Sequence, residues 1–359
     1  MTRAAEARPG VVELEVEVDG GRERALAYPD LTGPVREGDR VVLNTTARVL
    51  GLGTGGVDFV VAVEGQAEMD PPADGHVIKL RYTPMQVKVQ SVEEPGGPDR
   101  DAFTAAEGLE GLPVVWVPLH SMVGAAAAGA RAAGAERVVH VMTDGAALPA
   151  AFSEQLHALR SAGLLDAVVT TGQAFGGDIE AVNVFSGLLA ARSVAEADVV
   201  VVADGPGKVG TDTRWGASDV AAGSALNAIA SLGGRAIAAL RVNFADPGYR
   251  HHGVSPHSIT VLRDVALAPV HVAVPALEDE ERDVAWEALR DSGLEERHHL
   301  VEVTGEPAVD LLRARGVSAV SMGWTLEEEP ALFLAAGAAG VLAGRMAAGT
   351  ARWREEAGT

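Results

Sequence analysis

Beyond residue 103 the chain repeats one pattern: a short, uninterrupted apolar run, then a stretch long enough for a helix. The runs fall at 114–119, 137–143, 167–171, 199–203, 236–242, 267–274, 299–303 and 317–322. A strand that is apolar at consecutive positions needs cover on both faces, which parallel sheets between helix layers provide. Alternation of such strands with helices is the signature of a doubly wound, mostly parallel α/β sheet. That constraint also says where to look for chemistry. Open sheets of this kind bind ligands beyond the carboxyl ends of their strands.

The first part of the chain follows a different rule. From Val11 to Glu94 the pattern is period two, in VELEVEV, RERALAY, DRVVLNTTARVL, VDFVVAVEG and VIKLRYTPMQVKVQSV. Five or six half-buried strands with glycine turns are expected, with Gly38-Asp39 as one tight turn. With no amphipathic stretch of helix length, the segment is expected to form a small β-barrel or a tightly curled sheet. GLGTGG at 51–56 fits G-x-G-x-x-G literally, but a strand follows it where a pyrophosphate needs a helix N-terminus. A hairpin or bulge is the expectation there. The Pro/Gly-rich EEPGGPDRDAF marks the junction. The expected organisation is a barrel over 1–94, a linker over 95–103, an α/β domain over 104–348 and a tail over 349–359.

Of the strand ends, the stretch TTGQAFGGDIEAVNVFSGL (170–188) is the richest. Gly172, Gly176 and Gly177 let a ligand approach the main chain. Asp178 falls where a helix is expected to begin, as a cap, a ligand or a base. Glu180 is too close to it in sequence for the two to form a facing pair on a helix. Earlier, PLHSM puts His120 and Ser121 at a strand end. Ser121 reads as a helix cap or a nucleophile, and His120 as a general base or ligand. The glycines of a nucleophile elbow are absent, since 119 is Leu and 123 is Val. Asp144-Gly145 forms a turn in VMTDGAALP, with Pro149 in the first turn of the following helix.

VVVVADGPGKVGTDTRWGAS carries Gly205, Gly207 and Gly210, again in G-x-G-x-x-G spacing. Pro206 and a delayed helix weaken a dinucleotide reading. What the loop offers is an anion cradle of Lys208, Thr211, Thr213 and Arg214 with free N–H groups. RVNFADPGYRHHGVSPHSITVL brings Asp246, His251, His252 and His257 into one polar loop. One of these histidines is a candidate acid/base, and Ser255 is a cap for a helix starting at Pro256. Asp178, Asp246, His251 and His257 are the set from which a divalent metal site would be drawn, as the one cofactor this chemistry suggests. His298 and His299, in a charge-rich segment, are expected at the surface.

The charge and composition exclude several classes. A net charge of −21 and a pI near 4.8 give no basic footprint for nucleic acid. Without cysteine there is no thiolate nucleophile and no Cys-ligated metal. The N-terminal residues lack a signal-peptide core, and the run from Ala331 to Ala348 is broken by glycines and Arg345. A soluble cytoplasmic protein without membrane contact is expected. The apolar last helix, 330–346, is expected on the core or at a homodimer interface.

Together, GHVIKLRYTPMQVKV, PLHSM, VMTDGAALP, GQAFGGDIEAVNVFSGL, GPGKVGTDT and HHGVSPHSITVL resemble a bacterial family of unknown function, family 3866. The resemblance covers nearly the whole chain and implies no reaction. ADGPGKVGTDT departs from the Met-Gly-Pro-Gly form expected of the family, which sets Asp204 and Asp212 outside its general pattern.

The expected activity is hydrolysis or group transfer on a small anionic metabolite. The catalytic candidates are His120, Ser121, Asp144, Asp178, His252 and His257. The ligand contacts expected are Gly172, Gly176, Gly177, Gly205, Gly207, Lys208, Gly210, Thr211 and Arg214. These strand-end groups should converge on one cleft, with a histidine of the 251–257 loop near Asp144 or Asp178. A metabolite-binding protein without turnover and a dinucleotide-binding oxidoreductase are the alternatives.

Overall fold

Alternating and continuous apolar patterns sort the chain into two units, Met1–Gly97 and Pro98–Thr359. The structure is a computed structural model and describes residues 3–51, 56–70, 74–211, 213–245 and 252–349. In the first unit the strands are β1 (Arg3–Arg8), β2 (Val11–Val18), β3 (Gly21–Ala27), β4 (Val41–Asn44) and β5 (Asp58–Val63). They form one sheet in the order β1-β2-β3-β5-β4. Period two puts Leu14, Val16, Ala25, Ala27 and Val60 on one buried face. Asp58, fully buried, is held by Arg48 at 2.9 Å. The barrel expectation needs correcting: β1 and β4 are the two edges of an open sheet among the described residues. The remaining strands, β6 (Val77–Lys79) and β7 (Val87–Val89), pair only with each other. With three residues apiece they are too short to wrap round and close a barrel. Positions 52–55, where the hairpin or bulge was expected, lie outside the described residues.

The second unit is built on eight parallel strands: β8 (Pro113–Trp116), β9 (Val138–Thr143), β10 (Ala167–Thr170), β11 (Ile179–Glu180), β12 (Val199–Asp204), β13 (Arg235–Ala239), β16 (His271–Pro275) and β17 (His299–Val303). The labels β14 (Val242–Asn243) and β15 (Gly253–Val254) belong to a separate two-stranded ribbon. The sheet order is β11-β10-β9-β12-β8-β13-β16-β17. All of β8 and residues 199–203 of β12 are buried at consecutive positions, because both faces are covered. Side chains such as Val115, Val201 and Ile237 point into a core shared with helices α1 (Val123–Ala132), α2 (Glu154–Ser161), α3 (Glu306–Ala314) and α4 (Pro330–Ala347). The intervening positions face helices on the opposite side, including 184–193 and 225–231.

The topology opens a crevice. From β8 the chain passes through α1 to the β9 side; from β12 it crosses to β13 through helices on the other face. Neighbouring strands whose connections leave to opposite faces part their loops, which is the general ligand position of open sheets.

The last helix is an internal element. It lies against α1 and α3, and the two helix backbones come within touching distance because glycines face them. A Cβ on Gly129 would collide with the Gly337 carbonyl, and one on Gly340 with the Ala126 carbonyl. By composition the helix could cross a membrane, yet 78% of its apolar stretch is buried inside the chain. It therefore presents no bare apolar face of the kind that motivated a dimer.

Two local expectations change. The run 317–322 does not join the large sheet; β18 (Val320–Ser321) pairs antiparallel with β19 (Trp324–Thr325). The helix expected to start at Asp178 begins instead at Val184, capped by Asn183 in a reciprocal arrangement with Ser186. Two of the residues between, Ile179 and Glu180, form β11, which extends the sheet edge.

Candidate functional site

At the carboxyl edge of β8, β9 and β12, one histidine joins three loops. His120 lies one turn past β8. Its Nδ1 is 2.9 Å from the carbonyl oxygen of Asp204, and its Nε2 is 2.7 Å from the Ser153 hydroxyl. A carbonyl can only accept, so Nδ1 carries the hydrogen and Nε2 receives the Ser153 proton. Burial holds His120 down to about 4, against the opposing pull of the Asp204 carbonyl. The imidazole is therefore neutral at physiological pH. Ser153 is 4% exposed, caps helix α2 and accepts the Leu156 N–H at 3.1 Å.

His140, inside β9, packs edge-on against His120 with ring centres 5.7 Å apart. Its Nδ1 donates to the Val201 carbonyl at 2.9 Å, while Nε2 is buried with no partner among the described residues. Burial, then the neighbouring His120, push it to about 3.

The carboxylates sit beside this pair. The Asp204 side chain accepts the Thr143 hydroxyl at 2.6 Å and the Gly145 N–H at 3.1 Å. Burial raises its carboxyl above the ordinary value; those two hydrogen bonds oppose the rise, and Asp144 and Asp219 add to it. Asp144 takes the Gln173 N–H at 2.8 Å. Its carboxylate lies where a Cβ on Gly172 would be, and Gly172 has φ +63°. Glycine at 172 is thus doubly required. Gly145 likewise makes room for Asp204, and Gly205 for the Ala147 carbonyl.

The loop after β12 is less cationic than its sequence suggests. Lys208 is ion-paired with fully buried Asp219, and burial lowers the Lys208 ammonium despite that partner. Arg214 pairs with Asp264 and lies over the Trp215 ring at 4.9 Å. Thr211 and Thr213 bond to each other at 2.9 Å, and Gly210 bridges to Ala217. Gly207 adopts φ +99° with open space where its side chain would be.

The other expected residues sit elsewhere. Ser121 caps nothing; its hydroxyl is 2.7 Å from that of Ser321. Asp178 accepts the Val168 N–H at 2.8 Å and pairs with Arg160, along the β10–β11 edge. Gly176 donates to Glu180 at 2.6 Å and Gly177 to Thr170 at 3.2 Å, so this glycine turn is closed by its own chain. His257 is buried at the start of a helix capped by Ser255, with Nε2 3.2 Å from the Thr213 carbonyl. His252 lies edge-on to Phe244, with ring centres 5.1 Å apart. Asp212, Asp246 and His251 lie outside the described residues. Among the described residues, no group of three or more His, Asp or Glu is arranged to hold a metal ion. His298, expected at the surface, is buried, between the Leu262 carbonyl at 2.8 Å and the Val270 N–H at 3.2 Å.

The structure thus gathers His120, Asp144, Asp204 and Lys208 with Thr143, His140, Ser153 and Asp219, which sequence reasoning passed over. Ser153 carried a signal: a serine directly before EQLHALR is a helix-cap pattern. His140 stood out only as a lone histidine inside an apolar run.

A family model described as a protein of unknown function (DUF3866) matches residues 24–340. No curated protein and no solved structure matches the chain.

Proposed function

The chain belongs to the DUF3866 family, and from its strand-end geometry we propose that it is a hydrolase or group transferase acting on a small metabolite. The reaction runs at the carboxyl edge of β8, β9 and β12. One observation carries the reading: His120, neutral and locked in one tautomer, receives a hydroxyl proton from another loop. A base of fixed tautomer within hydrogen-bond reach of its proton donor is what general acid–base catalysis needs. Asp204, whose carboxyl is raised by burial, lies at the same strand edge and accepts from Thr143 and Gly145.

An anionic group on the substrate would share Lys208 with Asp219 and not replace it. The ammonium has three donors, and stripping a buried carboxylate of its partner costs several kcal/mol.

The test is turnover of a panel of carboxylic and phosphate esters by the full chain. Native protein is expected to hydrolyse at least one. His120→Gln should lower kcat/KM at least about 100-fold in a chain that still unfolds cooperatively. A panel member that raises the melting temperature without being consumed would favour a binding protein. Turnover indifferent to His120→Gln would overturn the assignment of the site.

A further inference from the structure

Resting on that functional reading, we propose that Ser153 is the nucleophile of the site and that the group it takes up is a carboxylic acyl group, carried on oxygen or sulfur in the substrate.

Ser153 stands where two requirements meet. Its hydroxyl proton points at an imidazole nitrogen 2.7 Å away, and that imidazole is held by a carbonyl on its other nitrogen. A nucleophile, a base and a group that orients the base are the three parts of an activated serine. Here a backbone carbonyl, that of Asp204, does the orienting. Ser121, the serine beside the histidine in sequence, bonds to Ser321 instead.

The surrounding charge selects the acyl group. Asp144 and Asp219 both act electrostatically on Asp204. The cations of the loop after β12 are already paired, Lys208 with Asp219 and Arg214 with Asp264. A phosphoryl group in flight spreads negative charge over three oxygens and needs cations aimed at it. The carbonyl carbon of an ester or thioester is uncharged when it enters, so the carboxylates do not repel it.

The steps balance without a further reactant except water. Ser153 Oγ bonds to the carbonyl carbon as its proton passes to His120 Nε2. The bond from carbon to the alcohol oxygen or thiol sulfur then breaks, and the leaving atom takes that proton. Water attacks the acyl-Ser153 ester, giving a proton to His120 Nε2. Ser153 Oγ leaves with it, releasing the carboxylic acid.

An alkyl fluorophosphonate tests this on the full-length chain, because it phosphonylates an activated serine with loss of fluoride. One adduct per chain is expected, mapped by peptide mass spectrometry to Ser153. His120→Gln should slow labelling at least about 100-fold, a general-base contribution. Labelling should be flat between pH 6 and 8, because His120 is already neutral there. Mapping the native adduct needs no variant, so the result stands even if Ser153→Ala, which also loses a helix cap, unfolds. No adduct, an adduct on another residue, or labelling indifferent to His120→Gln would overturn the proposal. Ester turnover that depends on His120 but survives in a folded Ser153→Ala chain would overturn the nucleophile alone. Turnover indifferent to both residues would remove the functional reading with it.

Discussion

His120 and His140 make the protein acid-sensitive in a direction that can be worked out. Unfolded, each takes up a proton near 6.5; folded, His120 does so near 4 and His140 near 3. Stability is therefore whole above pH 6.5 and falls as pH drops through that window. For His120 the loss is about 3 kcal/mol at 1.36 kcal/mol per pH unit. His271, held near 4 by burial, adds to the slope, while Asp204, shifted upward, opposes it. Urea denaturation at pH 7.5, 6 and 5 should show the decline, with a shallower slope in His140→Leu; a level profile would contradict these environments. At Gly172 the expected outcome is sharper. Alanine there must adopt φ +63° and enter the space of the Asp144 carboxylate, at a cost of about 1–3 kcal/mol or more in a denaturation midpoint. His120 and Asp144 were legible in the sequence because a strand end followed by a polar residue is a local signal. Ser153 was not linked to His120, because the contact joins loops 33 residues apart. Asp178 looked functional for the same local reason that made Asp144 look so. Its tie to Arg160 and Val168 depends on a short edge strand that no periodicity announces.

Between elements, the decisive contact is the glycine-lined seam of α1 and α4. Gly340→Ala would drive a methyl into the Ala126 carbonyl, and Gly344→Ala one into the Ala130 carbonyl. Neither obstacle is a flexible side-chain end, so the helices must separate. Overpacking of this kind costs about 1–3 kcal/mol, measurable as a lowered denaturation midpoint; an unchanged midpoint would show that the seam has slack. The helices themselves were legible as alanine-rich apolar runs. Their partners were not, because an apolar helix reads alike whether its own core or a second subunit covers it. The strands were legible wherever both faces are covered. Seven of the eight apolar runs supply strands of the large sheet, while 317–322 ends as a hairpin arm. A run of apolar residues reports burial, and burial alone does not say which sheet receives it.

At the scale of the whole molecule, the large sheet and every site residue described above lie within Pro98–Thr359. Expressed alone, that unit should melt cooperatively and keep the His120-dependent fluorophosphonate reaction; loss of either would show that the first unit supports it. The change of grammar near residue 100 was visible because period-two and continuous apolar patterns differ over many residues. The open edge of the first sheet was not, since closure depends on which strands meet and not on how each is patterned. One further consequence follows from the three-way tie at His120. Its imidazole fastens loops that leave β8, β9 and β12, segments far apart along the chain. Such loops cannot be exchanged one at a time. A relative that lengthens or grafts any one of them must rebuild the other two around it, so the site evolves as a block or hardly at all.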